Sequence, residues 1–252
     1  MSVPSNKTVI LTGASRGIGR AVAHALSQRG VRLVLNARGE DRLRETAEGC
    51  TGADARIVAG NAASASIAQK LVDEARDMGS FAGFIHAAGV LHPGPLLNEI
   101  EEHAFREVLD ASLTAAYQLV RFAVPVLEGT AHYGAERGIA VFFGSGAAEI
   151  AQPGIAAYCI AKAAEEHLMR QLAAESDGVY TFAYRPGVVE TRMQQQARSA
   201  EGGAADTLRK TFQSWKDEGR LIEPEESAQG LLKFIEQADR LHGRSIRIGE
   251  AV

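Results

Sequence analysis

Short apolar runs rich in Val, Ile and Phe alternate along this chain with longer stretches whose apolar residues recur every three to four positions. The runs TVILT, VRLVLNA, ARIVAG, FAGFIHA, GIAVFFG, VYTFAY and SIRI stand at residues 8–12, 31–37, 55–60, 81–87, 138–144, 179–184 and 245–248, and they predict seven strands. The periodic stretches predict helices at 18–28, 41–48, 64–77, 99–127, 155–174 and 224–237. The strands are too apolar for a sheet with one wet face. Their alternation with helices therefore predicts a doubly wound, Rossmann-type α/β fold, a parallel sheet covered on both sides, in a single domain over residues 1–252. One segment breaks the rhythm: 191–221 is long and polar, with EGGAAD ahead of TLRKTFQSWKDEGRL. It reads as a mobile insertion over the C-terminal edge of the sheet, where ligands bind in this architecture.

Composition narrows the function classes. A chain of 252 residues with 46% hydrophobic content supports a full core, and 26 Gly against 7 Pro suit tight turns rather than disorder. The net charge is -4, and Lys and Arg are scattered among acids without forming a run, so no nucleic-acid partner is expected. The opening MSVPSNKTV lacks the basic flank and apolar core of a signal peptide, and no apolar run reaches membrane-spanning length. The expectation is a cytoplasmic protein without a membrane partner. Cys50 and Cys159 make neither a disulfide framework nor a metal spacing, and His24, His86, His92, His103, His132, His167 and His242 make no metal-spaced cluster, so no metal is expected. Cys159 reads as a small buried filler, and the EEH at 165–167 as a solvated or interface helix face.

Candidate chemistry begins in TVILTGASRGIGRAVAHAL, a strand, a turn carrying Gly13, Gly17 and Gly19, and a helix. Such glycines let the backbone turn sharply and approach a pyrophosphate, whose charge is favoured at a helix N-terminus. An acidic residue ending the second strand would hold a free ribose 2′-hydroxyl, but this chain has Ala37 there and Arg38 beside it. Arg16 and Arg38 suit a 2′-phosphate held by forked, charge-assisted hydrogen bonds, which favours NADP(H) over NAD(H).

From Thr8 to about Ile248 the chain resembles the short-chain dehydrogenase/reductase family, on TGASRGIG, HAAG at 86–89, Ser145 in FFGSG, YCIAK at 158–162 and RPGVVET at 185–191. The resemblance implies cofactor contacts at Ser15 and Ile18 in the glycine turn, Asn61 and Ala62 near the adenine, Ala88 and Gly89 along its ribose, and Pro186, Gly187, Val189 and Thr191 beside the nicotinamide. TRMQQQAR and the segment after it look like the sepiapterin reductase and benzil reductase branch, whose members reduce ketones and vicinal diketones with NADPH. Three departures stand out. Ser112 occupies the place of the usual Asn, which helps hold a water linking Lys to solvent. Ala87 replaces an amide side chain. Arg247 falls where sepiapterin reductases carry an acidic pterin anchor, which argues against a pterin.

Tyr158 and Lys162 lie four residues apart and so share one helix face. A neighbouring ammonium favours the phenolate, moving a tyrosine from about 10 toward a range where it exchanges a proton. The expected chemistry is hydride transfer from the nicotinamide to a carbonyl carbon, with Tyr158 donating a proton to the oxygen and Ser145 stabilising the developing charge. Lys162 supports the phenolate and holds the ribose. Glu149, Ile150 and Gln152 border the substrate pocket by position, and Trp215 either caps a hydrophobic substrate or anchors its own segment. The leading expectation is an NADPH-dependent reductase of a small, largely apolar ketone or vicinal diketone. The alternatives are a 3-oxoacyl carrier-protein reductase and a cofactor-sensing or scaffold protein with little turnover. The resemblance further implies a homodimer or homotetramer paired through the helices at 99–127 and 155–174. Leu113, Ala116, Leu119, Phe122, Ala163, Ala164, Leu168 and Leu172 supply more apolar positions there than one sheet-facing stripe requires.

Overall fold

The structure, a computed structural model, describes residues 6–131 and 137–252. The first five residues of the stretch read above for a signal peptide, and His132, lie outside the described residues. Seven strands form one sheet: β1 (Thr8–Thr12), β2 (Arg32–Ala37), β3 (Ala55–Ala59), β4 (Phe81–His86), β5 (Gly138–Phe143), β6 (Val179–Arg185) and β7 (Ser245–Arg247). All neighbours are parallel, in the order β3-β2-β1-β4-β5-β6-β7. The chain winds outward from β1 to β3, returns to β4 and winds outward again to β7. The winding direction therefore reverses between β1 and β4, and a crevice opens there at the carboxyl ends of the strands.

Burial on both faces explains the apolar strands. Val9 and Leu11 of β1 point into one core with α1 (Gly17–Gln28) and α9 (Pro224–Ile235), while Ile10 points into the other with α3 (Ala65–Asp77) and α5 (Ala115–Ala131). Leu33 and Leu35 oppose Val34, and Phe182 and Tyr184 oppose Ala183, in the same period of two. The remaining helices are α2 (Glu40–Glu48), α4 (Glu102–Leu109), α6 (Ala156–Glu175), α7 (Arg192–Arg198), α8 (Ala205–Asp217) and the short α10 (Ala238–Leu241). Among the described residues no helix is long and apolar enough to cross a membrane.

Two expectations change. The helix read at 99–127 is interrupted: α4 ends at Leu109, residues Asp110–Thr114 form one π turn in which the Ala115 N–H reaches back to the Asp110 carbonyl, and α5 follows. Such single wide turns recur at functional sites, and this one carries Ser112. The polar segment at 191–221 is α7 and α8, whose Ala197, Leu208 and Phe212 pack with Leu91, Ala147, Ile155 and Cys159 in a small core of their own. Cys159 thus fills a buried gap.

Candidate active site

The crevice is a cleft of about 710 Å³. Gly13 and Gly17 take positive φ, +70° and +54°, and a Cβ on Gly13 would stand 2.7 Å from the Ala87 carbonyl. Only glycine lets the first turn lie against the strand that follows on the other side of the cleft. Gly13, Ser15, Arg16, Gly17, Ile18 and Gly19 line one wall, with Arg38 at the end of β2, Asn61 and Ala62 after β3, and Ala88 and Gly89 after β4. Tyr158, Lys162, Pro186 and Thr191 line the other end. The structure thus brings most of the residues singled out in the sequence around one space. Ser112, Ser145, Gly187 and Val189 lie outside that lining; Val189 is buried and pairs with Ile222.

The cleft's phosphate side is strongly cationic. Burial lowers the Arg16 pKa, and the charges of Arg192, Arg42 and Arg38 lower it further. Among the described residues Arg16, Arg42 and Arg192 make no ion pair, so several guanidinium groups face one another around the glycine turn without a counter-charge. The glycine cradle and this uncompensated charge fit a dinucleotide's phosphates. Arg38, expected to meet a 2′-phosphate, pairs in the structure with Glu107 of α4, whose second oxygen lies 2.7 Å from His92 Nε2. The Arg38 guanidinium holds the Glu107 carboxyl below the usual carboxylate range, and His92 adds to this. Glu107 and His92 also line the cleft, and the sequence reading missed both in this role.

Tyr158 and Lys162 sit on the first two turns of α6. Lys162 is buried, its Nζ donating to the Phe143 carbonyl at 2.8 Å and to Glu165 Oε2 at 2.7 Å, and lying 5.7 Å from the Tyr158 ring centre. Burial works against the ammonium, but Glu165 and then Tyr158 outweigh it and leave the Lys162 pKa raised. Ser112 is buried in the π turn. Its Oγ has no partner among the described residues, and a methyl on Gly89 would lie 3.9 Å from both that oxygen and Lys162 Nζ. The Ser112 carbonyl accepts one hydrogen bond: His86 Nε2 donates to it at 2.9 Å, while His86 Nδ1 accepts from Thr12 Oγ1 at 2.8 Å. Burial, with Lys162's charge, pushes that imidazole down to about 3, so it stays neutral.

Ser145 stands at the end of β5 in extended conformation, next to Gly144 of the cleft lining, with its Oγ accepting from the Ala147 N–H at 3.2 Å. Its own N–H donates to Glu166 Oε1 at 3.2 Å. Glu166 also takes two hydrogen bonds from Arg185, at 2.9 and 2.7 Å, and one from Ser245 at 2.8 Å. Glu165 and Glu166 are therefore buried, and the solvated or interface face expected for EEH is limited to His167; both carboxyls turn inward to the cations of the site.

The residues expected to border substrate are not in the cleft lining. Glu149 pairs with Arg185 at 2.8 Å, Ile150 is exposed, and Gln152 bonds the Pro153 carbonyl. Trp215 packs on Phe212, ring centres 4.6 Å apart, with the Arg220 guanidinium 5.7 Å from its ring centre, so it anchors α8 rather than facing the cleft. Beside Tyr158 the cleft wall is instead made by Leu91 and Met193, residues the sequence reading passed over. Among the described residues no group of three or more His, Cys, Asp or Glu is placed to hold a metal.

A crevice where a doubly wound sheet reverses, with a phenol and an amine entering it from one helix, is the arrangement of a nicotinamide-dependent oxidoreductase working on C=O and CH–OH groups. The chain belongs to the short-chain dehydrogenase family, whose profile matches residues 7–202. It is 28% identical over 261 residues to a benzil reductase ((S)-benzoin forming) of Saccharomyces cerevisiae, covering 97% of this chain and 96% of that one. It is 29% identical over 241 residues to the sepiapterin reductase of Mus musculus, covering 90% and 91%. A solved short chain dehydrogenases/reductase structure from Saccharomyces cerevisiae has the same fold, with a TM-score of 0.85 at 27% identity over 97% of this chain and 96% of that one.

Proposed function

We propose that this protein is an NADPH-dependent carbonyl reductase acting on a small, largely apolar ketone or vicinal diketone. The observation that carries this reading is the placement of Tyr158 and Lys162 in the same cleft as the glycine turn and its uncompensated arginines. The glycine turn would receive the pyrophosphate, Arg16 and Arg38 the 2′-phosphate, and Lys162 the nicotinamide ribose. NADPH, when bound, supplies the hydride. Tyr158 donates its O–H proton to the carbonyl oxygen, and Ser145 supports the charge that gathers there. Leu91 and Met193 offer apolar contact and make no demand for a charged substrate. Arg38 must exchange Glu107 for phosphate, so Glu107 moderates the preference for NADPH.

The reading extends to a small carbonyl compound as the sole ligand besides cofactor, with no nucleic-acid or membrane partner, in a cytoplasmic setting that suits the free, buried Cys50 and Cys159. It includes a homodimer or homotetramer. Ala116, Leu119 and Leu172 are already buried within one chain and leave the expected surplus, but Tyr117 on α5 and Ile160 on α6 are exposed large side chains on the helices that would pair. The test is NADPH absorbance followed with a panel of diketones, ketones and acyl thioesters. Turnover of diketones or ketones ahead of thioesters is expected; preference for thioesters, or for NADH, would overturn it.

A further inference from the structure

Arg192 is a cation of the cleft with no role in the chemistry described so far. It opens α7, lines the cleft together with Arg16 and Met193, and is exposed, with no ion pair among the described residues. The acid nearest to it in sequence, Glu190, also lines the cleft but is committed to Arg198 at 2.6 Å.

The backbone fixes where this guanidinium starts. Ahead of it Val189 bridges to Ile222: the Ile222 N–H donates to the Val188 carbonyl and the Glu190 N–H to the Ile222 carbonyl, each at 3.0 Å. Thr191 then lies against the glycine turn, where a Cβ on Gly17 would stand 3.4 Å from the Thr191 methyl. Arg192 follows directly, so α7 begins beside the beginning of α1. No side chain caps α1, which leaves its first-turn N–H groups open to a ligand, and Arg16 is the residue at that cap. Burial lowers the Arg16 pKa most, and among the neighbouring charges Arg192 comes ahead of Arg42 and Arg38. The protein alone thus holds two cations against each other at a helix N-terminus, an arrangement that an anion between them would relieve.

Position decides which anion. Arg38, Asn61 and Ala62 mark the adenine end of the cleft, and Tyr158 and Lys162 the nicotinamide end. Arg192 stands between them: Thr191 ties it to the glycine turn, and the next residue, Met193, belongs to the wall beside Tyr158. The group of a dinucleotide that lies between its two ends is the pyrophosphate. Resting on the reading that this cleft takes a nicotinamide dinucleotide, we infer that Arg192 is a cofactor-binding residue that clasps the pyrophosphate from α7 while the glycine turn holds it from α1. Its contact is to a group that NADPH and NADH share, whereas that of Arg38 is to one that NADPH alone carries. The same contact joins α7 to α1 and, through Met193, sets one wall of the substrate space.

The test is cofactor binding to the full chain, by fluorescence titration and thermal melts, in wild type, Arg192→Gln and Arg192→Lys. Arg192→Gln should weaken NADPH and NADH alike, by on the order of tenfold, as the loss of one charge-assisted hydrogen bond implies. Arg192→Lys keeps the charge without the fork and should recover much of that loss for both. Without cofactor Arg192→Gln should melt no lower than wild type, because it removes a repelled charge, while the rise in Tm on adding either dinucleotide should shrink. Adenosine 2′-monophosphate, which lacks the pyrophosphate, should bind wild type and Arg192→Gln equally. A loss confined to NADPH, or weaker binding of adenosine 2′-monophosphate, would put Arg192 at the 2′-phosphate and overturn the assignment. Unchanged binding of both dinucleotides, or a loss matched by a lower Tm of the free protein, would overturn it as well. A wild type that prefers NADH or reduces no carbonyl defeats the reductase reading yet leaves Arg192 standing on equal losses; a wild type that binds neither dinucleotide defeats both.

Discussion

Replacing Glu166 by Gln keeps the side chain's volume and removes only its charge. Glu166 is almost fully buried and accepts four hydrogen bonds, two from Arg185, one from Ser245 and one from the Ser145 backbone. An amide has one accepting oxygen where the carboxylate has two, so an NH2 must now face a donor. Removing one partner of a buried ion pair costs about 3–5 kcal/mol, because the other charge is left without its counter-charge. Arg185 keeps the exposed Glu149 at 2.8 Å, which offsets part of this and sets the expectation near about 3 kcal/mol. In a domain of this size that is roughly 6–12 °C in Tm. The pH sign supports a sharper assay. Burial opposes the ionised carboxyl, but Arg185 and Ser245 outweigh it, so the folded Glu166 pKa lies below the unfolded value of about 4.3. Its stabilisation is present above that pH and lost as pH falls through the folded value. Thermal melts of the two proteins should therefore differ most near neutrality and converge in acid. A Tm change under about 2 °C at pH 7, or a gap that widens in acid, would refute the argument.

Tyr158→Phe should lower turnover by at least about two orders of magnitude with NADPH binding retained, and unchanged turnover in the carbonyl assay would remove Tyr158 from its role. Arg38→Asp should weaken NADPH far more than NADH by fluorescence titration, by roughly 1.5–3 kcal/mol before repulsion is counted. Glu107→Gln should tighten NADPH by up to about fivefold, since a partly exposed pair contributes only about 0.2–1 kcal/mol; weaker NADPH binding would mean Glu107 supports the cofactor instead. Light scattering should find a dimer or tetramer whose dissociation lowers activity, and a fully active monomer at micromolar concentration would exclude pairing through α5 and α6.

What the sequence revealed and concealed follows from which forces are local. Strands buried on both faces announce themselves by composition, and the glycine turn by spacing, because each answers to its own neighbours. The Arg38–Glu107 pair joins residues 69 positions apart, and nothing in either local sequence selects the other. The π turn left a fainter mark. Ala104, Val108, Ser112 and Ala116 are all buried at successive spacings of four, and each such step overshoots a 3.6-residue turn by about 40°. Three such steps drift by about 120°, which an unbroken amphipathic helix also tolerates, so a search for apolar periodicity reads through the π turn and only the polar Ser112 within the stripe hints at it. Glu165 was legible by the reasoning that paired Tyr158 with Lys162. Lys162, Glu165, Met169 and Leu172 fall at intervals of three and four, and all are buried. An acid inside such a stripe has left water against a large cost, and the cation one turn before it is what makes that placement tolerable. Reading Glu165 as solvated took its residue type as the guide to its environment; its phase on the helix was the stronger guide.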